Sequence, residues 1–141
     1  ATIDSSGRIL QPAKPAFNVY YNAGGFDITN ATFPLNAARV NVGSYFNLST
    51  STFTAPVSGT YFFSFRSMTN DQNTRVMLYI NGSNAETLAY EDGGGTDWHP
   101  TNGDTIRSLS ANDTVHIHIG FGSAVTMHGN EYNAFCGYLI G

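Results

Sequence analysis

The side chains able to do chemistry in this 141-residue sequence fall into a few short groups. His116 and His118 form a His-x-His pair. On an extended strand two such residues share one face, where imidazoles can act as metal ligands or simply alternate with buried neighbours. Asp97-Trp98-His99 places the only tryptophan between a carboxylate and an imidazole, in a loop bounded by Gly93-Gly94-Gly95 and Asn102-Gly103. Tryptophan is enriched in binding hot spots and stacks on sugar rings, so these three residues are the first ligand-binding candidates; the other reading has Trp98 packed down as a loop anchor. Met127, His128 and Glu131 form a weaker group in a second loop, Gly120 to Gly129 and its continuation. The lone cysteine, Cys136, excludes an intrachain disulfide and a multi-cysteine metal site. Its place in Phe135-Cys136-Gly137-Tyr138-Leu139-Ile140 reads as a buried structural thiol. There is no Gly-x-Ser-x-Gly elbow, no His-Glu-x-x-His and no phosphate loop, so no enzyme is expected.

The elements that position these groups are strands. The organising stretch runs from Phe53 through Pro56 and Gly59 to Phe65. Pro56 fixes its φ and cannot donate to a ladder, so a turn falls between it and Gly59. Beyond the turn, Tyr61, Phe63 and Phe65 share one face by the two-residue period, while Thr60, Phe62, Ser64 and Arg66 take the other. Val76, Leu78 and Ile80 alternate before the turn signal Asn81-Gly82, with Glu86 to Tyr90 as the return strand. Val115, Ile117 and Ile119 alternate with the two histidines. Tyr132 to Ile140 forms the final strand, apolar on both faces, and Pro15 to Tyr21 the first. Phe26 to Ala38 reads as irregular. About nine or ten short strands with regular turns, and no helical period, predict an all-β sandwich or jelly roll.

Charged residues are 11% of the chain, against roughly 25% in an average globular protein. The net charge of −4 argues against nucleic acid or an anionic membrane as partner, and no run of about 18 apolar residues is present to insert in a bilayer. Residues 1–14 read as a polar leader or linker with a turn at Ser5-Ser6-Gly7, and 15–141 as one head domain. Asn30, Asn47, Asn81 and Asn112 open Asn-x-Ser/Thr sequons, a pattern that an Asn- and Thr-rich chain also produces by chance. In a sandwich a strand buries one face and shows the other to water. Here the central and final strands carry Phe62 and Tyr138 on their second faces, which predicts a symmetric oligomer whose contact those residues line.

From about Pro15 to Gly141 the chain resembles the C1q domain of the C1q/TNF superfamily. The resemblance is carried by Phe17, by Asn41-x-Gly43-x-Tyr45-Phe46, and by Thr52-Phe53-Thr54-Ala55-Pro56-x-x-Gly59-x-Tyr61-x-Phe63-Ser64-Phe65. It continues at Asn112-Asp113-x-Val115-x-Ile117 and ends at Phe135-x-Gly137-Tyr138-Leu139-Ile140. Asn112 stands where most members have Gly, and Cys136 where the family usually has Ser. The resemblance implies a ten-stranded jelly roll assembled as a homotrimer, with the His116/His118 strand in the outer sheet, away from the threefold axis.

The family also implies one ion. Several members bind calcium near the apex through acidic residues after the fifth strand, a place taken here by Glu91 and Asp92; no other cofactor is implied. A further family aspartate falls at His99, and imidazole is a poor donor for a cation that takes six to eight oxygens. Thr2 to Ile9 is no collagen repeat and is similar to segments preceding such heads in bacteriophage and viral structural proteins. The function so implied is a non-enzymatic head on the virion surface, joined through its leader to the rest of a fibre or capsid and binding a host glycan or surface protein. The alternatives are a secreted, extracellular lectin or adhesion module of a cell, and a trimerisation or capsid-decoration module without ligand.

Overall fold

The structure, a computed structural model, describes residues 2–10, 14–71, 73–91, 97–120 and 123–141. In chain order the strands are β1 (Thr2–Ile3), β2 (Ile9–Leu10), β3 (Ala16–Tyr20), β4 (Phe26–Ile28), β5 (Ala31–Thr32) and β6 (Ala37–Val42). They continue as β7 (Phe46–Asn47), β8 (Thr52–Thr54), β9 (Gly59–Arg66), β10 (Met68–Thr69), β11 (Thr74–Ile80) and β12 (Ser83–Glu91). The last are β13 (His99–Pro100), β14 (Gly103–Leu109), β15 (Thr114–Ile119), β16 (Val125–Met127) and β17 (Ala134–Leu139). A single 3₁₀ turn, Asn130–Tyr132, is the only helical element among the described residues.

Two antiparallel sheets carry the core. One runs in the order β14-β9-β17-β3-β6, the other β12-β11-β15-β8-β7, with β5 also pairing β15. The alternation read in β9 is realised: Tyr61, Phe63 and Phe65 are fully buried, and their neighbours are not. Val76 and Leu78 of β11 and Val115, Ile117 and Ile119 of β15 face them from the second sheet. Rings from the two sheets meet, with Phe17 5.0 Å from both Phe46 and Phe53, while Phe135 of its own sheet lies 5.1 Å from Phe17. Gly137 makes room for this packing: a Cβ there would stand 2.8 Å from the rings of Phe17 and Phe63. The buried Tyr61 hydroxyl donates to the carbonyl of Val57 at 2.7 Å, so its burial strands no polar group. Asn81 and Gly82, both at positive φ, close the β11–β12 hairpin as the Asn-Gly signal required.

Three segments differ from their sequence reading. Phe26 to Ala38 is not irregular throughout, since it holds β4 and β5. The second loop contains β16, which joins β13, β10 and β4 in a small four-stranded sheet. The polar leader contains a hairpin, β1 pairing β2 with Ile3 opposite Ile9, both exposed. Its turn is held by Asp4, whose carboxylate accepts from the backbone N–H of Ser6 and Arg8 at 2.9 Å each and pairs with the Arg8 guanidinium. These local donors hold the Asp4 carboxyl below the usual carboxylate range.

Candidate functional site

The small sheet is what assembles the site. In the order β13-β10-β16-β4, Thr69 pairs with His99 on one side and Met127 on the other. Trp98 immediately precedes β13 and His128 immediately follows β16, so the two arrive from either side of β10, Trp98 beyond Thr69 and His128 level with Met68. The His128 N–H donates to the Met68 carbonyl at 2.8 Å, fixing the exit of β16. On both sides of β10 the backbone is tied by side chains. Ser67 donates to the Thr101 carbonyl at 2.8 Å, and the Thr69 hydroxyl donates to the Thr126 carbonyl at 2.7 Å.

Trp98 and His128 are in ring contact, with centroids 4.6 Å apart. His128 in turn contacts Tyr132 of the 3₁₀ turn at 4.1 Å. The three rings make a continuous aromatic surface whose outer members stay in water, Trp98 at 42% and Tyr132 at 47% exposure. Asn133 supports it from below. Fully buried, it accepts from the Tyr21 N–H at 2.7 Å and donates to the His128 carbonyl at 3.2 Å. Trp98 is therefore not a buried anchor; it rests on His128 and keeps much of its indole accessible.

Of the other first candidates, Asp97 is exposed beside Trp98. Its carbonyl lies 2.9 Å from His99 Nδ1, which must hold the proton because a carbonyl only accepts. His99 Nε2 is out of contact with water and has no partner among the described residues. Glu131, exposed in the 3₁₀ turn, is the chain neighbour of Tyr132. Tyr132 was not singled out in the sequence, where it reads as the start of the final strand. The only local signal is the spacing His128 to Tyr132, one helical turn.

Gly129 joins the two halves of this surface. Its φ of −99° is open to any residue, so glycine is required there by contact and not by conformation. A Cβ would collide with the backbone carbonyl of Ala23 and with the carbonyl carbon of Gly24. Gly129→Ala is expected to cost about 1–3 kcal/mol, since backbone on both sides must move. It should also change the emission of the single tryptophan as His128 shifts, which thermal unfolding and fluorescence would read together.

The remaining candidates lie elsewhere. Glu91 ends β12 opposite Thr74, while Asp92 and Gly93-Gly94-Gly95 lie outside the described residues. Among the described residues no three His, Cys, Asp or Glu side chains come together to hold a metal ion. Glu91 and the imidazole of His99 do not by themselves fit an oxygen-demanding calcium ion. Phe62 and Tyr138 face each other across β9 and β17, ring centroids 5.4 Å apart, on the face turned from the core. The register extends this pair into a row across all five strands: Ile106, Phe62, Tyr138, Ala16 and Val42. Ile106 is 59% and Tyr138 46% exposed in the single chain. Cys136, half-buried one step along this face, has its thiol pushed up in pKa by burial and is a poor nucleophile.

A family model described as the C1q domain matches residues 16–140. The chain is 29% identical over 120 residues to Complement C1q tumor necrosis factor-related protein 3 of Mus musculus, and equally so to that of Homo sapiens. Each alignment covers 82% of this chain and 47% of the relative, so the chain spans about half the length of the curated relatives it matches. Among solved structures it superposes on the globular domain of zebrafish complement 1qA protein with a TM-score of 0.73 and 20% identity, over 91% of this chain and 98% of that one. It superposes on Eiger TNF from S. frugiperda with a TM-score of 0.74 and 13% identity, over 92% and 94%. Those likenesses carry the fold, an all-β jelly-roll sandwich with C1q and TNF neighbours.

Proposed function

The chain belongs to the C1q domain family, and from that premise we propose that it is a trimeric recognition head in an extracellular setting, binding a surface glycan through the Trp98–His128–Tyr132 platform. Domains of this family are typically non-enzymatic binding modules. The observation that carries the reading is the aromatic surface itself: three rings in contact, outer two accessible, held by segments that flank the small sheet. Such a surface stacks on the apolar face of a sugar ring, and the exposed Asp97 and Glu131, chain neighbours of Trp98 and Tyr132, supply carboxylates that accept from sugar hydroxyls. The relatives named above are animal proteins, which favours the extracellular alternative over a virion surface.

Assembly as a homotrimer is the second part of the reading. The row from Ile106 to Val42 supports it, because an apolar row spanning the outer face of a five-stranded sheet, with Ile106 and Tyr138 exposed, is a surface that contact with further copies covers. The test of the platform is a glycan array probed with the parent chain, Trp98→Ala and Tyr132→Ala. A parent that binds, with Trp98→Ala weakened about 30-fold or more and Tyr132→Ala weakened less, is the expected result. Binding that survives both substitutions would place the ligand elsewhere, and an array on which nothing binds would leave a trimerisation module.

A further inference from the structure

The outer face of the other sheet carries a second arrangement, independent of the platform. His116 and His118 alternate with the buried Val115, Ile117 and Ile119 of β15, so both imidazoles project from the side away from the core. They are not loose surface side chains. His118 lies against Tyr79 with ring centroids 4.0 Å apart and planes within 9°, and His116 is 5.0 Å from the same ring. Asn30, at φ 42° in the turn between β4 and β5, reaches His118 from the other side, its Oδ1 2.9 Å from Nε2. β5 brings it there by pairing with β15, Thr32 opposite His118.

These contacts fix the protons. A carboxamide oxygen accepts, so His118 Nε2 holds the hydrogen and Nδ1 carries a lone pair. That lone pair faces His116 Nε2 at 3.4 Å. Two nitrogens bound tetrahedrally to one ion at 2.0–2.1 Å lie about 3.3–3.4 Å apart, so the observed separation is already the bite of a metal chelate. The Asn30 contact is the kind that orients a ligating imidazole through its other nitrogen.

We propose that His116 and His118 form a binding site for one first-row transition-metal dication per chain, taking Zn²⁺, Ni²⁺ or Cu²⁺ through His116 Nε2 and His118 Nδ1. Ligation moves the His116 proton from Nε2 to Nδ1, so two neutral imidazoles bind the ion without net proton release. No third His, Cys, Asp or Glu joins them among the described residues, and water completes the coordination. Oxygen-preferring cations such as calcium are excluded by the donor set.

The site is tested on the full 141-residue chain by calorimetric titration with each chloride salt alone, followed by metal analysis after dialysis. One ion per chain is expected, with His118→Ala and His116→Ala each weakening binding at least tenfold and Asn30→Ala by about tenfold through lost orientation. His118→Gln keeps the size of the side chain and serves if the alanine variant fails to fold, as circular dichroism would report. No heat of binding from any of the three metals would overturn the proposal. So would binding unaffected by His118→Gln, or one ion per three chains, which would move the metal to an axis between copies.

Discussion

A chain carrying Tyr138→Asp is expected to scatter light as a monomer near 15.2 kDa, and the parent as the proposed trimer of about 46 kDa, three times that mass. Tyr138 sits in the middle of the apolar row, directly opposite Phe62 on β9 and Ala16 on β3. In the isolated chain the position is 46% exposed, so a carboxylate there is solvated and the fold itself loses little. In an assembly that covers the row the same carboxylate is desolvated, and no cation stands opposite it in the row of Ile106, Phe62, Ala16 and Val42. An uncompensated buried charge costs several kcal/mol, repeated in each copy, besides the loss of an aromatic contact at the centre of the interface. Each 1.4 kcal/mol is a tenfold change in association, so a loss of 4 kcal/mol or more lowers it about a thousandfold. The thermal unfolding of the monomer should stay cooperative. Val57→Asp, at an exposed turn residue outside the row, should leave the large species intact. A Tyr138→Asp protein that remains at the parent's mass would remove this face from the assembly.

Phe62 and Tyr138 of that row were legible because strand alternation assigns faces without any knowledge of neighbours; Ile106, Ala16 and Val42 join them only through the register. Tyr61, Phe63 and Phe65 point in, so Phe62 must point out, and the same logic applied to Phe135 and Leu139 puts Tyr138 outside. The long strands β9, β11, β15 and β17 were readable for this reason. β10, β13 and β16 were not, because two or three residues carry no period and their pairing is remote. Thr69 meets Met127, and Val125 meets Ile28. The candidate site inherits this limit. Trp98 stood out as the only tryptophan, yet its neighbours His128 and Tyr132 come from a segment thirty residues away, delivered by strands too short to read. The His116/His118 pair was visible as spacing. What makes it a chelate geometry, the Tyr79 stack and the Asn30 contact, arises from β11 and from the turn before β5.

The largest loss of stability is expected from Phe135→Ala, about 3–5 kcal/mol in a domain of a size that usually holds 5–15. Phe135 is fully buried among the core rings, 5.1 Å from Phe17, 5.8 Å from Phe63 and 6.4 Å from Phe65 of its own sheet and 6.3 Å from Phe46 of the other. The cost of such a deletion depends on whether neighbours can fill the space. Here Phe17 and Phe63 are already wedged against the backbone of Gly137, and pairing to either side of β17 fixes the strands that carry them, so the cavity stays open. Phe135→Leu keeps most of the volume and should cost less than half as much. The measurement is urea unfolding in the Tyr138→Asp background, because the apparent stability of an oligomer depends on chain concentration and would mask the core term. A midpoint lowered by no more than Phe135→Leu produces would mean that the core relaxes around the deletion. The loss should also reach the aromatic platform, since β17 begins one residue after Asn133, whose side chain holds the His128 carbonyl and the Tyr21 N–H. Ligand binding by Phe135→Ala should therefore fall with the fraction unfolded and not before it, whereas Trp98→Ala removes binding from a fully folded domain.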